Sequence, residues 1–356
     1  MEQSPGPRNA MTTIQATRVT PVDSPPARVP TMAVVACIEA GPLEPMTVRM
    51  VESLRRWGGR LADAEVFAVN ARRGAPLRRE TRRRLERLGV RVVIDRTNRR
   101  YVWQHLLHKL HSLVAVEPLT SAETISWLDS DLIVLREPTG MFLEPGEDFT
   151  AMPSMGILGS QGAQDPNDAF WQRASSRLGL KADDLPWVIT AEESARIRMY
   201  INSGVMTWRR DLNLARDLLE DCESLLDGLI PKKHIEAHLI EQASIGLTVV
   251  RRKLRWRVLT HPNNFNLTSR QPELIQPHVI RDLRIMHYHD AMEPHTWGRL
   301  MEVLRQTHPH VHDWLESEGP VTDPTRGVWR GVREAFRLCR GVQRRLYYSR
   351  AGFRKE

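Results

Sequence analysis

The chain has 356 residues, enough for one large domain with a substantial core or two smaller ones, and no run of about eighteen apolar residues, which excludes a membrane-spanning helix. Its net charge of +8 points to an anionic partner, whether nucleotide phosphates, a membrane surface or nucleic acid, although a GC-rich genome would produce the same arginine excess. The cysteines, Cys37, Cys222 and Cys339, lack metal-ligand spacing and read as reduced thiols of a cytoplasmic protein, and neither zinc-finger spacing nor an aromatic RNA-binding signature supports nucleic acid as partner.

Residues 1–31 are rich in Pro, Ser, Thr and Arg, lack the apolar run of a secretory signal, and read as a disordered N-terminal extension. Met32 to Ile38 reads as a strand, followed by a turn at Glu39-Ala40-Gly41-Pro42 and a helix through Met46, Val48, Val51, Leu54 and Trp57. Ala64 to Val69 and Val90 to Ile94 are the next strands, separated by a basic helix from Leu77 to Leu88. Such alternation predicts a doubly wound sheet, which collects its ligand at the carboxyl ends of the strands. The helix from Tyr101 to Glu117 carries His105, His108, Lys109 and His111. Its histidine spacing mimics a metal site but reads more simply as a core-lining or solvated face.

The apolar run from Ile125 to Leu135 contains Asp129-Ser130-Asp131 and reads as a buried strand ending on two carboxylates one residue apart. Two such groups repel unless a partner intervenes, and a divalent cation, magnesium or manganese, is the simplest partner. The alternative is that Asp129 caps a turn and Asp131 is solvated. Residues 144–193 read as an irregular insertion over the strand ends, with a helical piece around Trp171 to Leu178; Trp171 and Trp187 there either stack on a sugar or pack structurally. Tyr200 to Met206 is a strand interrupted by Asn202-Ser203-Gly204, where glycine admits a close backbone approach and the amide and hydroxyl can bond sugar hydroxyls or satisfy a bulge. Helices follow over Leu212 to Leu229 and over Ile235 to Ile245, the second carrying Glu241-Gln242. A strand is expected from Leu254 to Leu259, and an apolar stretch from Val279 to Met286 leads into His287.

Residues 301–356 form a basic helical C-terminal extension. From Gly327 to Tyr348, apolar residues recur at Val328, Val332, Ala335, Cys339, Val342 and Leu346, with arginines over much of the remaining surface. This helix (327–348) can lie on an anionic membrane, making the protein peripheral at the inner membrane face, or dock on the protein with its basic face in solvent.

Taken in order, Leu128-Asp129-Ser130-Asp131, Asn202-Ser203-Gly204-Val205, Glu241-Gln242 and His287 resemble the metal-dependent nucleotide-sugar glycosyltransferases of the GT-A fold, most closely family 8, the glycogenin and bacterial galactosyltransferase group. The resemblance covers roughly residues 32–297. It implies an α/β GT-A domain over residues 32–300 with a mixed, mainly parallel sheet. It also implies transfer of a hexose from a nucleotide-diphosphate sugar, a UDP-sugar, to a hydroxyl acceptor. A manganese or magnesium ion would be held by Asp131, by Asp129 directly or through water, and by His287 as third ligand, and would neutralise the departing diphosphate. Lys109 matches a basic residue that contacts the donor, Glu39 the position after the first strand, and Asn202 an amide near the donor sugar. Gln242 matches a residue placed to stabilise positive charge at the anomeric carbon, which fits retention of configuration.

Departures from the family pattern are equally specific. The segment His-x-x-Gly-x-x-Lys-Pro maps onto His287 to Pro294 with Asp290 at the glycine position and Glu293 at the lysine position; Glu39 and Ala243 stand where aspartate is common. A carboxylate at position 293 requires that another cation such as Lys109 substitute, that Glu293 point away, or that the donor bind differently. A catalytically silent nucleotide-sugar-binding or scaffolding protein is therefore the alternative. A nucleotidyltransferase would need a glycine-rich basic loop after the first strand, which Glu39 to Glu44 does not supply.

Overall fold

A computed structural model describes residues 31–154, 157–268 and 271–353; the N-terminal extension expected over 1–31 thus lies almost entirely outside the described residues. The first strands, β1 (Met32–Cys37), β2 (Glu65–Asn70) and β3 (Val90–Ile94), are separated by α1 (Leu43–Trp57) and α2 (Arg79–Arg87) and pair in parallel. Helix α3 (Leu107–Val116) leads to β4 (Thr124–Leu128), which lies parallel to β1 on its other side. The short strand β5 (Leu132–Val134) follows, then β6 (Phe149–Pro153), α4 (Asp168–Arg177) and a hairpin of β7 (Trp187–Ile189) with β8 (Arg196–Arg198). Strand β9 (Ile201–Arg209) is antiparallel to both β4 and β6, and β10 (Trp256–Val258) is parallel to β6. The resulting seven-stranded sheet, in the order β10-β6-β9-β4-β1-β2-β3, is mixed and mainly parallel, the α/β class expected from the sequence.

Alternation along the strands divides the core. Ala33, Val35, Phe67, Val69, Ile125 and Trp127 face α3, α5 (Leu214–Asp227) and α7 (Ile240–Arg251), the last preceded by the single-turn α6 (His234–His238). Met32, Val34, Ala36, Val66, Ala68 and Leu128 face α1 and α2. Strands buried on both faces read as near-continuous apolar runs, as β1 does, and in β4 the buried Thr124 and Ser126 hydroxyls are satisfied by the Thr31 and Met206 carbonyls. A third core surrounds a small sheet, β11 (Phe265–Asn266), β12 (Ile285–His287) and β5, and is closed by α8 (Pro277–Ile280), α9 (Pro294–Thr307) and α10 (Pro309–Glu318).

Several elements differ from the sequence reading. The apolar run at 125–135 is two strands in two sheets, with Asp129 to Asp131 as the turn between them, because β5 turns away to pair with β12. Within the expected irregular insertion at 144–193, β6 is a fully buried strand of the main sheet. The helix expected from Tyr101 begins at Leu107, and the one expected over 235–245 breaks at Leu239 into α6 and α7. Position 300, the expected end of the main domain, falls inside α9. The last helix, α11 (Val328–Ala351), docks its C-terminal end through Tyr347, whose hydroxyl donates to the Leu226 carbonyl at 3.0 Å. Val328, Leu338, Val342 and Leu346 are each more than half exposed, whereas Arg340 is only partly exposed. The helix therefore turns Val328, Leu338, Val342 and Leu346 outward alongside Arg330, Arg337, Arg344 and Arg345, which are exposed as well, while its C-terminal end docks on the protein. No helix among the described residues is long and apolar enough to cross a membrane.

Candidate active site

The turn Asp129-Ser130-Asp131 is tied on three sides. Asp129 N–H donates to the Gly204 carbonyl of β9 (2.9 Å), Tyr288 N–H donates to the Asp131 carbonyl (3.0 Å), and the Ser130 hydroxyl donates to the Cys37 carbonyl at the end of β1 (2.7 Å). This turn floors a cleft of about 450 Å³ lined by residues at the carboxyl ends of β1, β2 and β4, including Ile38, Glu39, Ala71, Arg72, Asp129 and Asp131. Lys109, Asn202, Gln242 and His287 also line it, together with His289.

Asp131 is the hub. Its Oδ1 lies 3.2 Å from His287 Nε2 and its Oδ2 3.3 Å from His289 Nδ1. Ligand atoms of these three residues all fall within 4.8 Å of one another, and Asp129 Oδ2 is 3.9 Å from His287 Nε2. One carboxylate and two imidazoles converging at a cleft wall fit a divalent cation. Partial burial would raise the Asp131 carboxyl, but His287 and His289 hold it well below the usual carboxylate range. Burial would likewise depress His287, yet the Asp131 carboxylate raises it above the ordinary imidazole value. His289 escaped the sequence reading because it lies in the turn after β12, where strand alternation no longer says which way a side chain faces. Its φ of 43° is a left-handed conformation uncommon outside glycine and turns the ring toward Asp131.

Behind the cleft wall lies a charged network. Lys109 is buried, and its ammonium donates to the Ser203 carbonyl (2.8 Å) and hydroxyl (2.7 Å) and pairs with Asp129 Oδ1 at 3.1 Å. Its three N–H donors are thereby used, and Glu241 Oε1 stands 3.6 Å away. Burial opposes the charge on Lys109, but Asp129 and Glu241 together raise its pKa. Glu241 is pushed up to about 7 by burial, against the pull of Lys109. Asp129 also accepts from the Trp127 indole at 2.6 Å. Lys109 thus holds Asp129 in place, whereas the resemblance places it on the donor.

Strand β9 separates the remaining residues. Asn202 lines the cleft; its Oδ1 accepts from Gly204 N–H (2.8 Å) and from Asn264 Nδ2 (2.9 Å). Ser203 is fully buried and bonds Glu241 Oε2 at 3.1 Å, so its hydroxyl faces the network and not a sugar. The close approach at Gly204 is made by the His287 ring: a Cβ there would lie 2.7 Å from His287 Cε1. Gln242 lines the cleft on the first turn of α7, and its carbonyl oxygen accepts from the Tyr200 hydroxyl at 2.8 Å. Glu39 pairs with Arg72, a cleft residue that the sequence reading did not single out. Glu293 precedes α9 with its side chain half exposed and does not line the cleft. Trp171 is fully buried and bonds the Leu158 carbonyl, a packing role, and Trp187 lies beneath Arg196. His108 is buried, and His105 packs at a tilt against His238, so the three helix histidines do not converge on a common ligand point.

Residues 34–251 match the family model of the Rhodobacterales glycosyltransferase domain. Among solved structures, the apo form of mouse xyloside xylosyltransferase 1 is similar at a TM-score of 0.42 and 17% identity, over 72% of this chain and 96% of that one. The apo glycosyltransferase GlyE of Streptococcus pneumoniae TIGR4 gives 0.45 and 14%, over 83% and 66%. An active-site mutant of LgtC gives 0.46 and 13%, over 84% and 99%. No curated protein sequence matches the chain.

Proposed function

The chain belongs to the Rhodobacterales glycosyltransferase domain family, and from that premise we propose that it moves a hexose from a nucleotide-diphosphate sugar, a UDP-sugar, to a hydroxyl acceptor. The observation that carries this reading is the convergence of Asp131, His287 and His289 at a cleft formed by the carboxyl ends of β1, β2 and β4. Those three residues, with Asp129 beside them, would hold manganese or magnesium, which when bound neutralises charge on the departing diphosphate.

The other roles belong to the chain itself. Lys109 and Trp127 fix the Asp129 carboxylate, and Ser203 and Glu241 fix Lys109. Asn202 presents its amide to the donor sugar from a position set by Asn264. Gln242, oriented by Tyr200, places an amide where positive charge develops at the anomeric carbon, in keeping with a retaining GT-A enzyme of the family 8 type. Glu39 and Arg72 form the nucleotide side of the cleft. With Glu293 off the cleft wall, its carboxylate does not oppose a diphosphate. The exposed apolar stripe of α11, flanked by arginines, supports peripheral contact with an anionic membrane from the cytoplasmic side.

Calorimetric titration of uridine diphosphate tests the donor site, first with manganese and then with a chelator. Binding that requires manganese and disappears in Asp131→Ala is expected; binding that ignores both changes would remove the metal from the proposal. Manganese-dependent UDP binding without any hydrolysis or transfer of a panel of UDP-hexoses would favour the catalytically silent reading.

A further inference from the structure

We infer that an arginine-lined cavity beside the cleft is a subsite for a phosphate or diphosphate group carried by the acceptor. The cavity, about 500 Å³, lies between α11 and the segments after β2 and β3, and is lined by Arg72, Arg73, Arg96, Arg99, Arg340 and Phe336 among others. No carboxylate lines it among the described residues. Its charges come from three distant segments of the chain, so the fold gathers them and local composition does not explain the cluster.

Like charges held together repel unless something answers them. Arg96 spends one guanidinium nitrogen on the Asp95 carbonyl at 2.7 Å and on Asn70, and Arg72 pairs with Glu39. Arg73, Arg99 and Arg340 have no hydrogen-bonded carboxylate partner among the described residues. Burial, with Arg72 close by, pushes the Arg340 guanidinium below its ordinary range. Five arginines that are partly shielded, with Glu39 bound to Arg72 as the one carboxylate paired to the group, keep an excess of positive charge and make a site for a multiply charged oxyanion, which guanidinium forks bind in a planar, bidentate way.

Its location decides which molecule carries that anion. Ala71 and Arg72 line both the cavity and the cleft, so an anion in one lies next to a sugar in the other. The donor's single diphosphate is assigned to the Asp131 cluster. A second anion site that offers no cation ligands therefore belongs to the other substrate. This assignment rests on the transferase reading, whereas the anion site itself does not. The phosphate can be a lipid headgroup or part of a soluble phosphorylated acceptor.

The test is calorimetric titration of inorganic pyrophosphate into the full chain in chelator, comparing the natural protein with a triple variant, Arg73→Ser, Arg99→Ser and Arg340→Ser. Arg73 and Arg99 are exposed, so the double Arg73→Ser, Arg99→Ser variant serves if the triple variant misfolds. Metal-independent binding that weakens roughly tenfold or more in the variant, with manganese-dependent UDP binding unchanged, is expected. Equal pyrophosphate affinity in both proteins, or none in the natural one, overturns the subsite. Loss of UDP binding in the natural protein would instead overturn the donor-site reading. Phosphatidylcholine vesicles carrying phosphatidic acid separate the sources. Displacement of the natural protein from them by pyrophosphate assigns the cavity to a lipid phosphate, and pyrophosphate binding that leaves vesicle binding untouched assigns it to a soluble acceptor.

Discussion

At Gly204 a methyl group would meet His287 Nδ1 at 2.7 Å and Asn202 Oδ1 at 2.8 Å, closer than packed atoms tolerate. Gly204→Ala is expected to cost about 1–3 kcal/mol from overpacking and to abolish manganese binding by displacing His287, as read by denaturant unfolding and manganese titration. Retained metal affinity would remove Gly204 from the support of the cluster. His108 carries a different consequence. Burial, reinforced by Arg72, holds its pKa well below 6.5, so the native ring is neutral where an unfolded one would be protonated. The unfolded state then binds the extra proton below pH 6.5, and stability falls as pH drops, by about 1.4 kcal/mol per unit for this one group. His108→Gln should show a shallower loss between pH 6.5 and 5 in urea unfolding; equal slopes would refute a neutral buried imidazole. At this scale the sequence is legible where chemistry is unusual. Asp129 and Asp131 stand out because two carboxylates one residue apart need a partner, whereas His287 gains its role only from the company of the other motifs. His289 and Arg72 do not stand out, because only the turn geometry of His289 and the pairing of Arg72 with Glu39 give them meaning.

Strand and helix periodicity explains which elements were readable. The strands β1, β2 and β3 with α1 and α2 follow the alternation of a doubly wound sheet, and their observed limits lie close to the expected ones. Strand β6 was hidden because its five residues sit between turn-rich stretches, and its membership of the sheet depends on distant partners in β9 and β10. The split of the 125–135 run was hidden for a related reason: β4 and β5 are both apolar, and only the pairing of β5 with β12 separates them. Helix α11 shows that spacing finds an amphipathic helix without saying which face meets the protein. Leu338, Val342 and Leu346, at successive intervals of four, form an outward stripe. Leu338→Gln combined with Val342→Gln should weaken partitioning onto phosphatidylglycerol vesicles by roughly a hundredfold or more, read by flotation, by removing about 1.5–3 kcal/mol of burial per side chain, while leaving UDP binding unchanged. Undiminished flotation would show that this stripe does not meet lipid.

Across the whole molecule, α1 joins the two sheets. It packs on β1 and β2 through Val48, Val51 and Leu54, while its buried Ser53 hydroxyl accepts from Val134 N–H of β5 at 2.9 Å. Ser53→Ala would leave that buried N–H without a partner, a cost of about 1–3 kcal/mol. Because β5 begins directly after Asp131, weaker manganese binding is expected alongside a lower urea midpoint; a lowered midpoint with unchanged manganese affinity would separate the helix contact from the cluster. The α/β class was legible from sequence because it follows from local periodicity. The small sheet was not, since its strands are two or three residues long and assembled from three remote segments. That small sheet has a consequence for what the protein can become. His287 pairs with Leu132, and a slip of one residue between β12 and β5 would turn the His287 imidazole of the cluster toward the opposite side. Hydrophobic substitutions within these strands preserve the pairing, but a single-residue insertion or deletion inside either one does not. The segments at 133–134 and 285–286 are thus free to drift in sequence and barred from changing in length, a constraint that acts on residue spacing rather than residue identity.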